Sequence, residues 1–362
     1  MEKIFSKLDR YILRKFIGTF VVSILLILFI VIVFDISEKI EDFVNHKVAL
    51  KEIVFDYYLN FIPYIVNLFS PLFTFIAVIF FTSRLASRTE IVAMLSSGIS
   101  FNRLLRPYLV GATLIAGTSL FLNNYLIPRA NKTRLDFESK YVGSQYVFDG
   151  KNIHREVDKD IYVYMETYNS TENVGTRFTL EKMKGLDLVF KLTAREIKWD
   201  SIRNRWSIID YYGRYIDGRK EYFVKGDRID TTLNLTPKDF GRTDNVIKSM
   251  TAGELNRFID DEKKKGSDSV QIYEIEKHSR IAYPFATFIL TLIGVSVSSR
   301  KTRGGIGMHL GIGLGLSFGF IFFMQLFTSY AQSGVIPAYI AVWIPNIIFA
   351  AVAIFMLRKA PK

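Results

Sequence analysis

The chain has no cysteine among its 362 residues. That excludes a disulfide framework, a thiolate zinc set and thiol redox chemistry. Histidine is almost as scarce: the four present, His46, His154, His278 and His309, show no metal-ligand spacing. No Ser/His/Asp arrangement is visible, and no Gly-x-x-x-x-Gly-Lys-Ser/Thr loop occurs, so nothing argues for catalysis or for nucleotide binding by the chain itself. The absence that organises everything else is that of charge. Asp, Glu, Lys and Arg are missing from Phe16–Phe34, Tyr57–Ser83, Pro107–Pro128 and Ile281–Ser299. From Gly304 to Leu357 they are missing again, and His309 is the one titratable residue of the Asp/Glu/Lys/Arg/His set.

A bilayer core of roughly 30 Å takes about 20 apolar helical residues to cross. The first four runs are one span each. The last is long enough for two, with a break at Ala331-Gln332-Ser333-Gly334 before Pro337. The predicted spans cover about 11–35, 57–83, 104–128, 279–299, 305–331 and 336–357. The expected fold is an α-helical membrane protein with six transmembrane helices, three plus three, and an inserted β-jellyroll-like domain outside the membrane. The first run is too long for a signal-peptide core and no small-residue cleavage site follows it, so it reads as an uncleaved helix. No Asp, Glu, Lys or Arg lies deep in a span, which argues against ion-coupled transport, whose coupling sites usually need buried charge.

The net charge of +12 would suit a nucleic-acid partner, but its distribution argues otherwise. Basic residues crowd at particular span ends: Arg10, Arg14 and Lys15; Arg84, Arg88, Arg103 and Arg106; Arg300, Lys301 and Arg303; Arg358, Lys359 and Lys362. The stretch Asp35–Asp42 is net acidic, and Ala331–Ile336 carries no charge. Lys and Arg near span ends mark the cytoplasmic side. Six spans then put both termini in the cytoplasm and the polar block beyond the membrane.

Residues 1–129 form the first membrane half and 278–362 the second. Met1–Lys15 reads as an amphipathic lead-in, with Ile4, Phe5, Leu8 and Ile12 on one face; it is either an interfacial helix or an extension of the first span. Pro63 and Pro71 predict a bent second span. Between the halves, 130–250 alternates with period two in Asp160–Met165, Ala194–Asp200, Trp206–Asp210 and Arg228–Leu235. Short strands punctuated by Asp149-Gly150 and Asp217-Gly218 predict a sandwich or jelly roll, with no helix longer than a turn or two. Residues 251–277 are connecting helices. Thr251 and Glu254 make a capping box, Gly266-Ser267 stops the first helix, and Ser267 caps the second.

Two motifs stand out. Residues 87–98, between the second and third spans, predict a short helix with Glu90 in its first turn and Gly98 as its stop. It is an interfacial helix or a docking helix for a partner, with Arg88, Glu90, Ile91, Met94 and Leu95 as candidate residues. In the fifth span, Gly307, Gly311, Gly315 and Gly319 repeat every four residues. That ridge lets helix backbones approach closely, either in static packing or as a face that slides and opens laterally.

Four segments together resemble the LptF/LptG (YjgP/YjgQ) permease family: Leu8–Ile12, Arg88–Gly98, Leu233-Asn234-Leu235-Thr236-Pro237, and Gly315-Leu316-Ser317-Phe318-Gly319-Phe320. The three-span, β-domain, three-span plan matches over the whole length. The resemblance implies the membrane subunit of an ABC-type lipopolysaccharide exporter in the bacterial inner membrane. It also implies a paralogous partner subunit, a separate LptB-like ATPase dimer, and LptC-like and LptA-like periplasmic proteins. It implies no cofactor and no nucleic acid. Residues 87–98 would be the ATPase-coupling helix, and the glycine ridge part of a lateral gate. LptG-like members often carry bases where span one leaves the membrane. Here Lys39 is the only base between Asp35 and Asp42, so Arg129, Lys132 and Arg134 join it as candidates for lipid phosphates. The alternative function is a signalling subunit that moves its outer domain without transporting lipid.

Overall fold

The structure is a computed structural model that describes residues 6–142, 149–169, 172–218, 220–237, 247–264, 269–300 and 305–360. The stop at Gly266-Ser267 and the Ser267 cap lie outside these residues. Before the β region come α1 (Lys7–Asn45), α2 (Leu50–Ser87), α3 (Glu90–Ser96) and α4 (Phe101–Tyr141). After it come α5 (Ala252–Lys264), α6 (Val270–Ser298), α7 (Gly305–Gln332) and α8 (Ala338–Arg358). Among the described residues, α1, α2, α4, α6, α7 and α8 are long and apolar enough to cross a membrane. The chain divides into two compact units: Met1–Phe137 with Gln271–Lys362, and Glu138–Val270.

Local chemistry explains the helix ends. Ser6 and Asp9 form a reciprocal capping box at the start of α1. Thr89, at φ 63°, breaks α2 from α3, and Gly98, at φ 87°, ends the turn after α3. Gly334, at φ 76°, separates α7 from α8 in the uncharged break. Two long helices carry π turns. The one at Ile53–Tyr58 brings consecutive Tyr57 and Tyr58 both inward; the one at Leu122–Leu126 precedes Pro128, where a backbone donor is missing.

One expectation is corrected here. The composition of 130–250 predicts no helix longer than a turn or two, yet α4 continues to Tyr141. Its last stretch buries Ile127, Ala130, Asn131, Phe137 and Glu138 among exposed charges. The spacing is helical, but the polar composition masks it.

The bundle core has a basic end. Leu8, Ile12 and Phe16 of α1, Leu85 of α2, Ile91 of α3, Phe101 and Leu104 of α4, Val295 of α6, and Leu357 with Ala360 at the end of α8 share one cluster. A second cluster joins α2, α6, α7 and α8 through Phe75, Ile79, Leu290, Phe320 and Phe349.

In the other unit, six strands form one antiparallel sheet: β1 (Asp149–Asp158), β2 (Ile161–Asn169), β3 (Val174–Lys184), β4 (Asp187–Asp200), β5 (Arg205–Asp217) and β6 (Lys220–Thr231). Their order is sequential, so they make a meander; the crossing connection of a jelly roll is not among the described strands. The predicted pairing of Ala194–Asp200 with Trp206–Asp210 is present, with Trp199 opposite Trp206. Alternation pairs Val163 with Met165 and Leu192 with Ala194 in a core that also takes in Phe178, Ile197 and Ile208. The buried indole N–H of Trp206 donates to the Leu235 carbonyl at 2.7 Å, fixing the Leu233–Pro237 motif on that core. The predicted Thr251–Glu254 capping box is formed, and Leu255, Phe258 and Ile259 are buried.

Candidate functional site

The short helix α3 is held by one face. Ile91 is 1% exposed, and Met94 and Leu95 pack beside it on the core that contains Ile12, Phe16 and Leu104. Glu90 is half-buried; Arg88, Val92, Ala93, Ser96, Ser97 and Gly98 are exposed. Ile91 therefore belongs to the bundle core rather than to the outward face, and Met94 and Leu95 pack against that core. The surface open to a partner is Arg88, Val92, Ala93 and Ser96, with Glu90 at its edge. Small side chains along it allow a close approach.

The glycine ridge behaves differently from a packing seam. A Cβ at Gly307, Gly311 or Gly315 would meet nothing within 4 Å, and one at Gly319 would lie 3.7 Å from Phe349 Cζ. The tightly packed glycine of α7 is Gly313, where a Cβ would fall 2.2 Å from Ile79 Cδ1 of α2. The regular ridge is thus an open face, and the odd glycine between its members is the seam. Exposure agrees at the level of whole helices. Only 11% of the most apolar stretch of α1 and 17% of that of α7 are buried, against 61% for α2.

At the far end of α1, Asp35 accepts hydrogen bonds from Lys39 Nζ at 2.8 Å, Tyr57 Oη at 3.0 Å and Tyr58 Oη at 3.0 Å. The Lys39 ammonium also bonds Tyr57 Oη and lies 4.6 Å from the centroid of the same ring. Lys39 is therefore matched by Asp35 of its own helix and by Tyr57. Arg134 lies over the rings of Phe61 and Tyr64, at 5.7 and 5.9 Å. Arg129 and Lys132 are exposed. The structure brings Lys39 and Arg134 both to Phe61, 6.0 and 5.7 Å from its ring centroid, and leaves Arg129 and Lys132 exposed.

Three features have no counterpart in the sequence reading. One is the ion pair between Asp9 and Arg103; the Ser6–Asp9 spacing signals the cap but not the long-range partner. Another is the Asp35–tyrosine cluster. The third is a polar chain inside the bundle: Ser119 Oγ donates to Asn67 Oδ1 at 2.6 Å, and Asn67 Nδ2 donates to Asn123 Oδ1 at 2.8 Å. Asn67 and Ser119 line a cavity of ≈ 210 Å³ between α1, α2 and α4, whose other walls include Ile17, Phe20, Val66 and Ile115. A larger cavity of ≈ 770 Å³ opens between α1 and α2, with Arg14 and Lys15 at its rim and Val22, Ile76 and Phe80 in its wall. Among the described residues no cluster of His, Asp and Glu stands ready to hold a metal.

Six apolar helices with a β unit inserted after the third, a short helix anchored between the second and third spans, and an open glycine face on the fifth define a membrane transport subunit. The family described as lipopolysaccharide export system permease LptF/LptG matches residues 10–359. The chain belongs to that family, and so is a transporter component of lipopolysaccharide export. No curated protein matches it.

Proposed function

We propose that the chain is one membrane subunit of an ATP-driven lipopolysaccharide exporter of the bacterial inner membrane. An LptB-like ATPase dimer seats α3 through Arg88, Glu90, Val92, Ala93 and Ser96. A second LptF/LptG-type subunit faces α1 and α7, and the glycine ridge is the smooth side of a lateral gate. The lipid leaves the membrane through that gate and passes along the β unit to LptC-like and LptA-like proteins. Both termini are cytoplasmic and the β unit is periplasmic. Residues 1–129 and 278–362 are the membrane halves, 130–250 the periplasmic insertion and 251–277 its return to the membrane. Arg129 and Lys132, which are exposed, bind lipid phosphates better than Lys39, whose charge Asp35 matches.

The observation that carries this reading is α3 itself. A seven-residue helix is too short to be stable alone. It is instead cemented by Ile91, Met94 and Leu95 while a small-residue face stays open. Glu90→Lys and Ala93→Trp test it by altering charge and shape on that face. Both variants are expected to retain the thermal midpoint of the purified subunit and to lose co-purification with the ATPase or the link between ATP turnover and lipid release. Wild-type assembly and transport in both would remove α3 as the docking element. Ile91→Ala is the contrasting control: it opens a core cavity and should destabilise the subunit by about 2–5 kcal/mol.

A further inference from the structure

The start of α1 is fastened to the chain that leaves α3. Asp9, 3% exposed, receives two hydrogen bonds from one guanidinium: Arg103 Nη1 donates to Oδ1 at 2.6 Å and Nη2 to Oδ2 at 2.5 Å. Ser6 reinforces the pair, its N–H and Oγ–H donating to Asp9 Oδ2 at 2.8 and 3.0 Å. Arg103 stands in the first turn of α4, after the N-cap Ser100, and the turn 97–100 alone separates α4 from α3. Behind the pair, Leu8, Ile12 and Phe16 share a core with Ile91, Met94 and Leu95.

Beyond Phe20 the packing of α1 changes. From Val21 to Phe34 only Ile24 and Leu28 are buried, and Val22, Leu25, Leu26, Phe29 and Phe34 are exposed. The two cavities described above flank Ile17–Ser23. Packing resumes at Asp35, which Tyr57 and Tyr58 of α2 bond. Within the chain the helix is thus fixed at both ends, and its middle presents the open face assigned above to the second subunit. A lever of this kind transmits motion only through its fixed points, and the point beside α3 is the Asp9–Arg103 pair.

We propose that Asp9 and Arg103 are positioning residues for energy coupling: their bidentate pair carries displacement of α3 into α1. Apolar contact alone lets two elements slide; a planar guanidinium clasped by a carboxylate fixes both distance and orientation. The assignment rests on α3 being the ATPase-docking element.

The test uses the whole complex in lipid bilayers, with lipopolysaccharide and ATP, and compares Asp9→Asn, Arg103→Gln and the reversed pair Asp9→Arg with Arg103→Asp. Each single variant is expected to keep ATPase association and hydrolysis while lipid released per ATP falls about 2- to 30-fold, the range over which single residues alter coupling between sites. The reversed pair restores the ion pair but not the Ser6 cap, which needs the Asp9 carboxylate as acceptor, so it is expected to recover part of the loss. Because the chain has no cysteine, nitroxides at Tyr11→Cys and Val92→Cys add a readout on the subunit alone. Their distance distribution is expected to broaden in each single variant and to narrow again in the reversed pair. A wild-type release ratio in both single variants overturns the proposal. So does a loss of assembly, ATP turnover and release together that reversal leaves unrelieved, which marks the pair as structural only. If the unmodified chain recruits no ATPase, the docking reading fails and the coupling role fails with it. If it recruits one and the single variants match it, the pair alone is wrongly assigned.

Discussion

Gly313 and Gly311 differ by one helical half-turn, yet they face opposite demands. At Gly313 a methyl group would drive into Ile79 of α2, part of the core cluster that joins α2, α6, α7 and α8; at Gly311 it would meet open space. Gly294 of α6 resembles the first, since its Cβ would lie 2.9 Å from Val78 Cγ1 and 3.0 Å from Phe75 Cδ2. So α2 presses Phe75, Val78 and Ile79 into two glycines on two different helices. Overfilling such a contact costs about 1–3 kcal/mol. Gly313→Ala is therefore expected to lower the thermal midpoint of the isolated subunit, and Gly311→Ala to hold or slightly raise it, because alanine favours a helix interior over glycine by up to about 1 kcal/mol, while weakening pairing with the second subunit. Thermal melts of the purified subunit, read beside co-purification of the pair, check both halves. Equal melting of the two variants would deny the distinction between seam and open face. The sequence shows a four-residue glycine repeat and draws the eye to its regular members. It gives no hint that the seam runs through the irregular one, because the partner, Ile79, is more than two hundred residues away.

At the scale of elements, the motif Leu233–Pro237 is explained by a bond that no local pattern announces. Leu235 is buried in the sheet core, and its carbonyl accepts from Trp206. Trp206→Phe keeps most of the apolar bulk and removes the donor, which leaves a buried carbonyl without that partner and costs about 1–3 kcal/mol. Faster hydrogen exchange is expected at residues 233–236, beyond any change in β2, whose Tyr168 ring also touches Trp206; slow exchange at 233–236 would show that packing alone holds the segment. Nearby, the Ser207 hydroxyl and the Arg228 guanidinium hold the Asp230 carboxyl below its usual range, so the β5–β6 edge keeps that contribution at neutral pH and loses it as acid protonates the group. The elements most legible in the sequence are those with a single strong signal. Charge-free runs gave the spans, period-two alternation gave the β4–β5 pair, and Thr251 with Glu254 gave the start of α5. The end of α4 was not legible, because its buried residues are widely spaced among charges and Pro128 reads as a stop. The candidate site was half legible. Residues 87–98 could be located, but which side of α3 faces the core depends on Ile12, Phe16 and Leu104, and tertiary neighbours leave no mark on a seven-residue stretch.

For the whole molecule, the distribution of basic residues and the core now support each other. The helix ends that carry Arg10, Arg14 and Lys15, Arg84 and Arg88, Arg103 and Arg106, and Arg358 and Lys359 are the ends that meet in one apolar cluster, together with Val295 near Arg300. Separate segments of a chain return to one end of a bundle only if an even number of crossings lies between them. Two crossings separate the start of α1 from the end of α2, and two more separate the end of α6 from the end of α8. That parity agrees with the positive-inside assignment, which would put the whole basic end in the cytoplasm. On that assignment the β unit, inserted after the third crossing, would lie on the side opposite the basic end. Leu186 and Ile202, in its hairpin turns, are 97% and 94% exposed, and Val92 on α3 is 58% exposed. In this cysteine-free chain each can be replaced by the sole thiol. In intact spheroplasts a membrane-impermeant maleimide is expected to label Leu186→Cys and Ile202→Cys and to spare Val92→Cys until the cells are lysed. Labelling of Val92→Cys before lysis, with Leu186→Cys protected, would invert the topology. It would place α3 where no cytoplasmic ATPase can reach it, and both the docking role of α3 and the coupling role of Asp9 and Arg103 would fall together.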